Sequence, residues 1–550
     1  MDVSTVSRRE LLIFCACIFA LLFGVYGYSL GNEFVHWDDG LLIFENPIVQ
    51  EFSFRSIYKA FTSYDPELYI PLTLLSYQMD HLIGGLNPFY YHLTNLILHA
   101  LNAVSVAWIG WLLFKNKWIA ALAAFLFAVH PLNTEAVVWA SSRKDLLSAF
   151  FILPSFALYL NYSQNGSKRW YGASVIGFLL ALLSKVTVIF FPLVLILADL
   201  RNHRRIDRRM ILDKIPFFFL SIVFGIIAMF GKEGNATLLV EKILIGSKAA
   251  IFYLTKVFLP YGFSVLYPYT KPIAFSSPDL AISFVILLVL VIVSIALWKR
   301  TREPLFTLGF FLLFTAPTFA NFAKGRDLLH DVYFASDRYA YIGSAAIFFL
   351  LASILYRYRS KVIDAVCIIV ILMLAFLSYR QSLVWKNTET LFRNVLVHYP
   401  NSHVAHTNIG SILEQRGDTA GAIEEFEASL AIRPNAAAYY NLAQIASAKG
   451  DRVQAVDLYR KALTANPNDL EANINLGALL LESDPAEAIP LFQAAAKQKP
   501  NLSLIHFNLG IAYEKLSRRE EAIAAFERTL EIDPSDAEAR EHLSDLKNDQ

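Results

Sequence analysis

Long apolar runs recur through the first 380 residues and then stop. They cover residues 10–30, 91–114, 118–134, 146–163, 170–184, 186–200, 215–231, 280–298, 304–321, 339–356 and 361–379. A helix built from such a run satisfies its own backbone and can cross the ~30 Å of bilayer hydrocarbon. The pattern therefore predicts about eleven spans, several of them short. A further run, 244–267, carries Lys248 and Lys256 and is broken by Pro260. Those charges predict a helix lying at the membrane interface. Beyond residue 400 the runs give way to short amphipathic stretches rich in Ala, Glu and Asp. The chain divides on this pattern into a membrane domain, 1–383, and a second domain, 384–550.

The second domain repeats. Pro434, Pro467, Pro500 and Pro534 are spaced 33, 33 and 34 residues apart. Asn408, Asn441, Asn475 and Asn508 keep the same step, as do Ala422, Ala455, Ala488 and Ala522. Small residues let two helices approach closely, large apolar residues fill the spaces between, and Pro with Asn starts a turn. This period and pattern predict tetratricopeptide repeats, helix-turn-helix units that stack into an α-solenoid. Four units cover about 403–535, with a half-unit at Thr390 to Pro400 and a capping helix at Ala537 to Leu546. Ser483-Asp484-Pro485 replaces the usual glycine turn and is one residue short. Stacked repeats offer a concave surface for an extended peptide or helix. A purely structural spacer is the plainer alternative.

The chain is 56% hydrophobic and 17% charged, which excludes an ordinary soluble protein. Its net charge of +1 gives no nucleic-acid partner. Basic residues mark cytoplasmic loops. They cluster at Arg201 to Arg209, and at Lys115 and Lys117, Lys168 and Arg169, Lys299 to Arg302, and Arg357 to Lys361. All fall inside if Arg8 and Arg9 precede an uncleaved signal anchor and 244–267 does not cross. Residues 31–90 and the repeats then lie outside the cytoplasm. That is the periplasmic side of a bacterial inner membrane, or the lumen of the endoplasmic reticulum in a eukaryote. The three cysteines, Cys15, Cys17 and Cys367, sit inside apolar runs and suit neither disulfides nor zinc.

On the outer side, His36-Trp37-Asp38-Asp39 follows the first span. An acid there can deprotonate an acceptor hydroxyl or hold a metal near a phosphate. Asp38-Asp39-Gly40 is also good turn chemistry. The same side collects His130, Glu135, Arg143, Lys144, Asp145, Lys185, Lys324, Arg326, Asp337 and Arg338. Charge beside a membrane segment is costly and marks function or a structural ion pair. Lys185, Arg143 and Arg338 suit a phosphate. A transporter is disfavoured, because these residues gather near one face and not at the midplane.

Several segments carry a family resemblance. They are Trp37-Asp38-Asp39; Asn87-Pro88-Phe89-Tyr90-Tyr91-His92-Leu93-Thr94-Asn95 with the later His99; and His130-Pro131-Leu132-Asn133-Thr134-Glu135-Ala136. Arg143-Lys144-Asp145-Leu146-Leu147, Leu183-Ser184-Lys185 and Asp337-Arg338-Tyr339-Ala340-Tyr341 complete the set. In order and spacing, and with the repeats behind them, they resemble the transmembrane and tetratricopeptide repeat-containing O-mannosyltransferases. Position 337 is Asp where that family has Glu, and Val186-Thr187 depart from its pattern after the lysine. The low repeat count is similar to a shorter bacterial relative and leaves the acceptor open.

The resemblance implies an all-α protein with a membrane domain of the glycosyltransferase C fold. It implies transfer of a sugar, mannose in that family, from a polyprenyl-phosphate carrier to a hydroxyl of a protein acceptor that the repeats recruit. Asp38 or Asp39 would be the catalytic acid group, and Lys185, Arg143 and Arg338 would surround the lipid phosphate. His130, Glu135, Asp145 and Asp337 would line the pocket. Whether a divalent cation takes part is left open. The alternatives are a ligase that moves a whole lipid-linked glycan and a non-catalytic membrane-anchored repeat scaffold.

Overall fold

The computed structural model describes residues 7–64, 68–205, 207–231, 239–323 and 332–548. Lys324 and Arg326 lie outside the described residues. The chain forms two compact units, Met1–Asn394 and Val395–Gln550. The sequence pattern divides the chain at 383/384, so residues 384–394 belong with the membrane unit by their packing.

Among the described residues, the regular structure of the first unit is helical apart from one short antiparallel pairing, Pro268-Tyr269 with Val332-Tyr333. Among the described residues, seven helices are long and apolar enough to cross a bilayer. They are Arg8–Gly31, Pro88–Phe114, Ala140–Asn165, Arg208–Phe230, Pro278–Lys299, Asp337–Arg357 and Lys361–Trp385. Lys117–Val129 and Pro131–Val138, bent by 55°, make an eighth if they form one span. The expectation of eleven exceeds this because some apolar runs form short helices. Phe191–Arg201 has only 11 residues, about 16 Å of helix. Lys168–Ser184 has 17 residues, and Glu303–Phe319 is likewise a short apolar helix. The 244–267 run becomes helix Leu239–Phe258, which carries charge at both ends and ends before Pro260.

The bend after Val129 shapes the unit. Pro131 has no N–H to continue the helix, so the chain leaves at His130 and proceeds through short turns to Ser142. This irregular backbone is buried, so its polar groups need partners inside the protein. Asn95 donates to Trp139 O at 2.9 Å, and Tyr77 donates to Ala140 O at 2.9 Å. Asn133 donates to Phe127 O at 2.8 Å, and Asn102 donates to Leu146 O at 3.0 Å. Side chains of helices Pro71–Gly84 and Pro88–Phe114, with Asn133 of the bend itself, thus hold these turns and the start of the helix after them. They leave Glu135, Trp139, Ser141, Lys144 and Asp145 in one corner.

The second unit pairs His403–Gln415 with Thr419–Ile432, Ala436–Ala448 with Arg452–Ala465, Leu470–Leu480 with Pro485–Gln498, and Ser503–Lys515 with Arg519–Ile532. Ala537–Asn548 closes the array. Asp418, Asp451 and Asp484 cap second helices by accepting from the amides of Gly421, Gln454 and Glu487 at 2.9–3.0 Å. The odd third turn keeps this cap and is accommodated by a first helix of 11 residues where the others have 13.

Candidate functional site

The two adjacent acids occupy different environments. Asp39 is 1% exposed. Its Oδ1 accepts from the Ser141 amide at 3.0 Å and from the Ser141 hydroxyl, and its Oδ2 accepts from the Val35 amide at 2.9 Å. Burial pushes its pKa up to about 6, opposed by these hydrogen bonds and assisted by the Asp38 charge. Asp39 therefore ties the loop to the turn before helix Arg143–Asn165. Asp38 keeps its side chain 36% exposed, with the buried Lys144 ammonium 3.7 Å away. Between the two, only Asp38 presents a carboxylate to incoming molecules.

A ring of alternating charge adjoins Asp38. Lys185 Nζ donates to Asp145 Oδ1 at 2.5 Å, with both side chains under 10% exposed. Among the described residues, Asp145 Oδ2 is buried without a hydrogen-bond partner. Arg338 pairs with Glu135, which also accepts from the Ser336 hydroxyl at 2.8 Å. The Arg338 guanidinium lies over Trp139 at 4.6 Å and Tyr339 at 4.9 Å, and Lys185 lies over Tyr339 at 5.1 Å. Asp38, Lys144, Asp145, Lys185, Glu135 and Arg338 are all within electrostatic reach of one another's pairs. A small cavity between Asp145, Arg338, Tyr339, Thr187 and Thr318 opens beside them.

Three expected site residues face elsewhere. Arg143 is fully buried and pairs with Asp80 at 2.7 Å. It also donates to Asn95, to Tyr91 O at 2.8 Å and to Ser76 Oγ at 3.3 Å. Its donors are thus engaged inside the protein, where the expectation was a phosphate. His130 Nδ1 accepts from the Leu132 amide at 3.2 Å, which makes Nε2 the donor to Val257 O at 3.0 Å. One ring nitrogen thus serves the backbone bend and the other ties it to helix Leu239–Phe258. Both Asp337 carboxylate oxygens lie 2.9 Å from the Tyr267 hydroxyl.

The residue that the charge pattern left unassigned is Lys144. Neighbours on a helix point about 100° apart. Arg143 turns back to Asp80 while Lys144 turns to Asp38, and nothing in the sequence distinguishes them. Ser141, Trp139 and Tyr339 were likewise illegible, because their roles exist only across the fold. Among the described residues, no three His, Cys, Asp or Glu side chains converge as metal ligands.

Tetratricopeptide-repeat profiles match residues 389–437, 407–470, 440–503 and 479–546. The Protein O-mannosyl-transferase F38B6.6 of Caenorhabditis elegans is 27% identical over 447 residues, 74% of this chain and 61% of that protein. The Protein O-mannosyl-transferase TMTC1 of Mus musculus is 36% identical over 154 residues, 26% of this chain and 16% of that protein. The chain thus spans less than two thirds of the length of either relative. A solved structure of YrrB, described as a TPR protein with an unusual peptide-binding site, is 22% identical over 28% of this chain and 80% of its own, at a TM-score of 0.25.

Proposed function

We propose, from this chain's place in a TMTC-like family of tetratricopeptide repeat-containing membrane proteins, that it is a glycosyltransferase acting on a protein hydroxyl at the outer face of its membrane. The donor is a sugar, mannose by the names of the relatives, on a polyprenyl phosphate whose tail stays in the bilayer. The acceptor hydroxyl attacks the anomeric carbon as the bond to the carrier phosphate breaks. Asp38 takes the hydroxyl proton. Lys144, Lys185 and Arg338 stabilise the charge arriving on the departing phosphate. Asp39 takes no proton from substrate and positions the loop. A cytoplasmic N-terminus and the basic loops support an odd number of crossings, with this corner and the repeats both outside, where the repeats recruit the acceptor. That side is the periplasm for a bacterial inner membrane and the lumen for an endoplasmic reticulum membrane.

The observation that carries this reading is the split of the acid pair. One carboxylate is saturated by backbone and serine donors, and the other stands half-open beside a buried ammonium. A non-catalytic anchor has no use for five largely buried charged side chains, Lys144, Asp145, Lys185, Glu135 and Arg338, beside a half-open Asp38, since each costs free energy to bury. Asp145 and Glu135 are each paired with a cation, so a divalent ion would find the half-exposed Asp38 and the buried Asp145 Oδ2, a set that fits poorly a protein-held ion.

Membranes from cells expressing wild type, Asp38→Asn or Asp39→Asn, supplied with labelled polyprenyl-phosphate mannose, test the proposal. Asp38→Asn at normal membrane abundance is expected to lower transfer by about 10²–10⁴-fold, the usual worth of a general base. Asp39→Asn is expected to lower protein abundance as well as transfer. Full activity in Asp38→Asn removes that residue as the base. Transfer of a preassembled glycan but of no single sugar turns the assignment to a glycan ligase.

A further inference from the structure

Helix Lys361–Ser382 is followed by the turn Leu383–Trp385 and by helix Thr388–His398. Residues up to Asn394 belong to the first unit. Four contacts run from this stretch to the charged corner. The Glu33 amide donates to Lys386 O at 2.9 Å. The His36 amide donates to Thr388 Oγ1 at 2.9 Å. The ring of Phe392 meets Trp37 edge-on at 5.8 Å. Trp385 stacks on Trp139 at 5.4 Å, with 28° between the rings. Trp139 in turn carries the Arg338 guanidinium at 4.6 Å and faces the Lys144 ammonium at 5.9 Å.

We infer that residues 385–392 are a brace for the reacting groups, with Thr388 and Trp385 as positioning residues. The inference rests on the transferase reading above. Asp38 lies between two anchors. On its C-terminal side, Asp39 is fixed to Ser141 and Val35. On its N-terminal side, the His36 amide is fixed to Thr388. Thr388 is 7% exposed, so water is poorly placed to replace its hydroxyl. Losing that acceptor removes the tie nearest Asp38 on its N-terminal side, leaving those of Val35 to Asp39 and Glu33 to Lys386, and the Asp38 carboxylate gains room to wander. Trp385 does a parallel job for the cations. It backs the indole face on which Arg338 rests, and so fixes a guanidinium proposed to meet the phosphate. Reaction rates respond steeply to such placement, with ~1 Å of error costing on the order of 100-fold. A plain connector between two domains needs none of these contacts.

The test uses the full chain in membranes, with polyprenyl-phosphate mannose as donor. Thr388→Val, which keeps the shape but removes the acceptor, is expected to lower kcat by ~10–100-fold while the donor KM stays within about twofold. Thr388→Ser restores the oxygen and is expected to rescue kcat. Trp385→Leu is expected to raise the donor KM, and Trp385→Phe to keep most of it, because a ring still backs Trp139. Hydrogen exchange of amides 33–41 reads the brace independently of turnover and should quicken in Thr388→Val only. Wild-type kcat in Thr388→Val, or equal loss in Thr388→Val and Thr388→Ser, overturns the role of Thr388. If Thr388→Val does not accumulate, an unchanged donor KM in Trp385→Leu overturns the brace. A wild type that transfers no sugar fails the transferase reading itself, a different result from an active wild type with indifferent variants.

Discussion

Asp39 is ionisable, almost fully enclosed, and held by three donors from Ser141 and Val35. Its raised pKa has a consequence for stability. The folded value, about 6, lies above the ordinary carboxylate value, so the fold favours the protonated form. That stabilisation is fully present below about pH 4 and is lost as pH rises through about 6, a change of about 3 kcal/mol for this degree of shift. The thermal midpoint of the purified chain is expected to fall between pH 4.5 and 7.5, and Asp39→Asn should flatten that fall. An identical slope in the variant would assign it to other groups. The residue scale also shows where the sequence stops being informative. The acid pair stood out because of its place after the first span. Which of the two is tied down and which stays half-open depended on where Ser141 came to rest, 102 positions away. The same holds for Arg143 and Lys144, whose partners are Asp80 and Asp38.

The repeats show at the level of helices what the period foretold. Gly410, Gly477 and Gly510 each meet an aromatic ring of the second helix in their own repeat. An added Cβ would come within 2.8 Å of Phe426 or Phe492 and within 2.6 Å of Phe526. At the matching position of the second repeat the residue is Ala443, and the ring is Tyr459, whose hydroxyl lies 3.4 Å from the Asn475 amide nitrogen. Gly510→Ala gains helix propensity of about 1 kcal/mol but overpacks the crossing, at about 1–3 kcal/mol. A net loss of repeat stability is expected, read as easier proteolysis at 503–532 in a urea series on the full chain. Unchanged resistance would mean that the crossing has slack. In the membrane unit the runs foretold helices but not their ends. A run of apolar residues states only that a segment avoids water. Whether it becomes a full span or an 11-residue helix such as Phe191–Arg201 is set by the turns that neighbouring side chains can satisfy.

Across the whole molecule, the distribution of basic residues predicts loop 31–90 and loop 201–209 on opposite sides of the membrane. With the native cysteines replaced, a cysteine at Tyr58, which is 61% exposed, should react with a membrane-impermeant maleimide from outside. One at Arg205 should react only after permeabilisation. Labelling of both from one side would overturn the topology. The sequence by itself determined the division into apolar helices and a four-unit solenoid, because both rest on periodicities that local packing cannot disguise. It also determined that charge gathers beside the first outer loop, since burying charge is too costly to be incidental. Only the tertiary structure decided the partners. The bend at His130-Pro131, held by Asn95, Tyr77 and Asn133, brings Ser141 to Asp39 and Lys144 to Asp38. Hydrogen bonds and ion pairs are made between groups that are near in space, and nearness across 100 or 350 positions is a property of the folded chain alone.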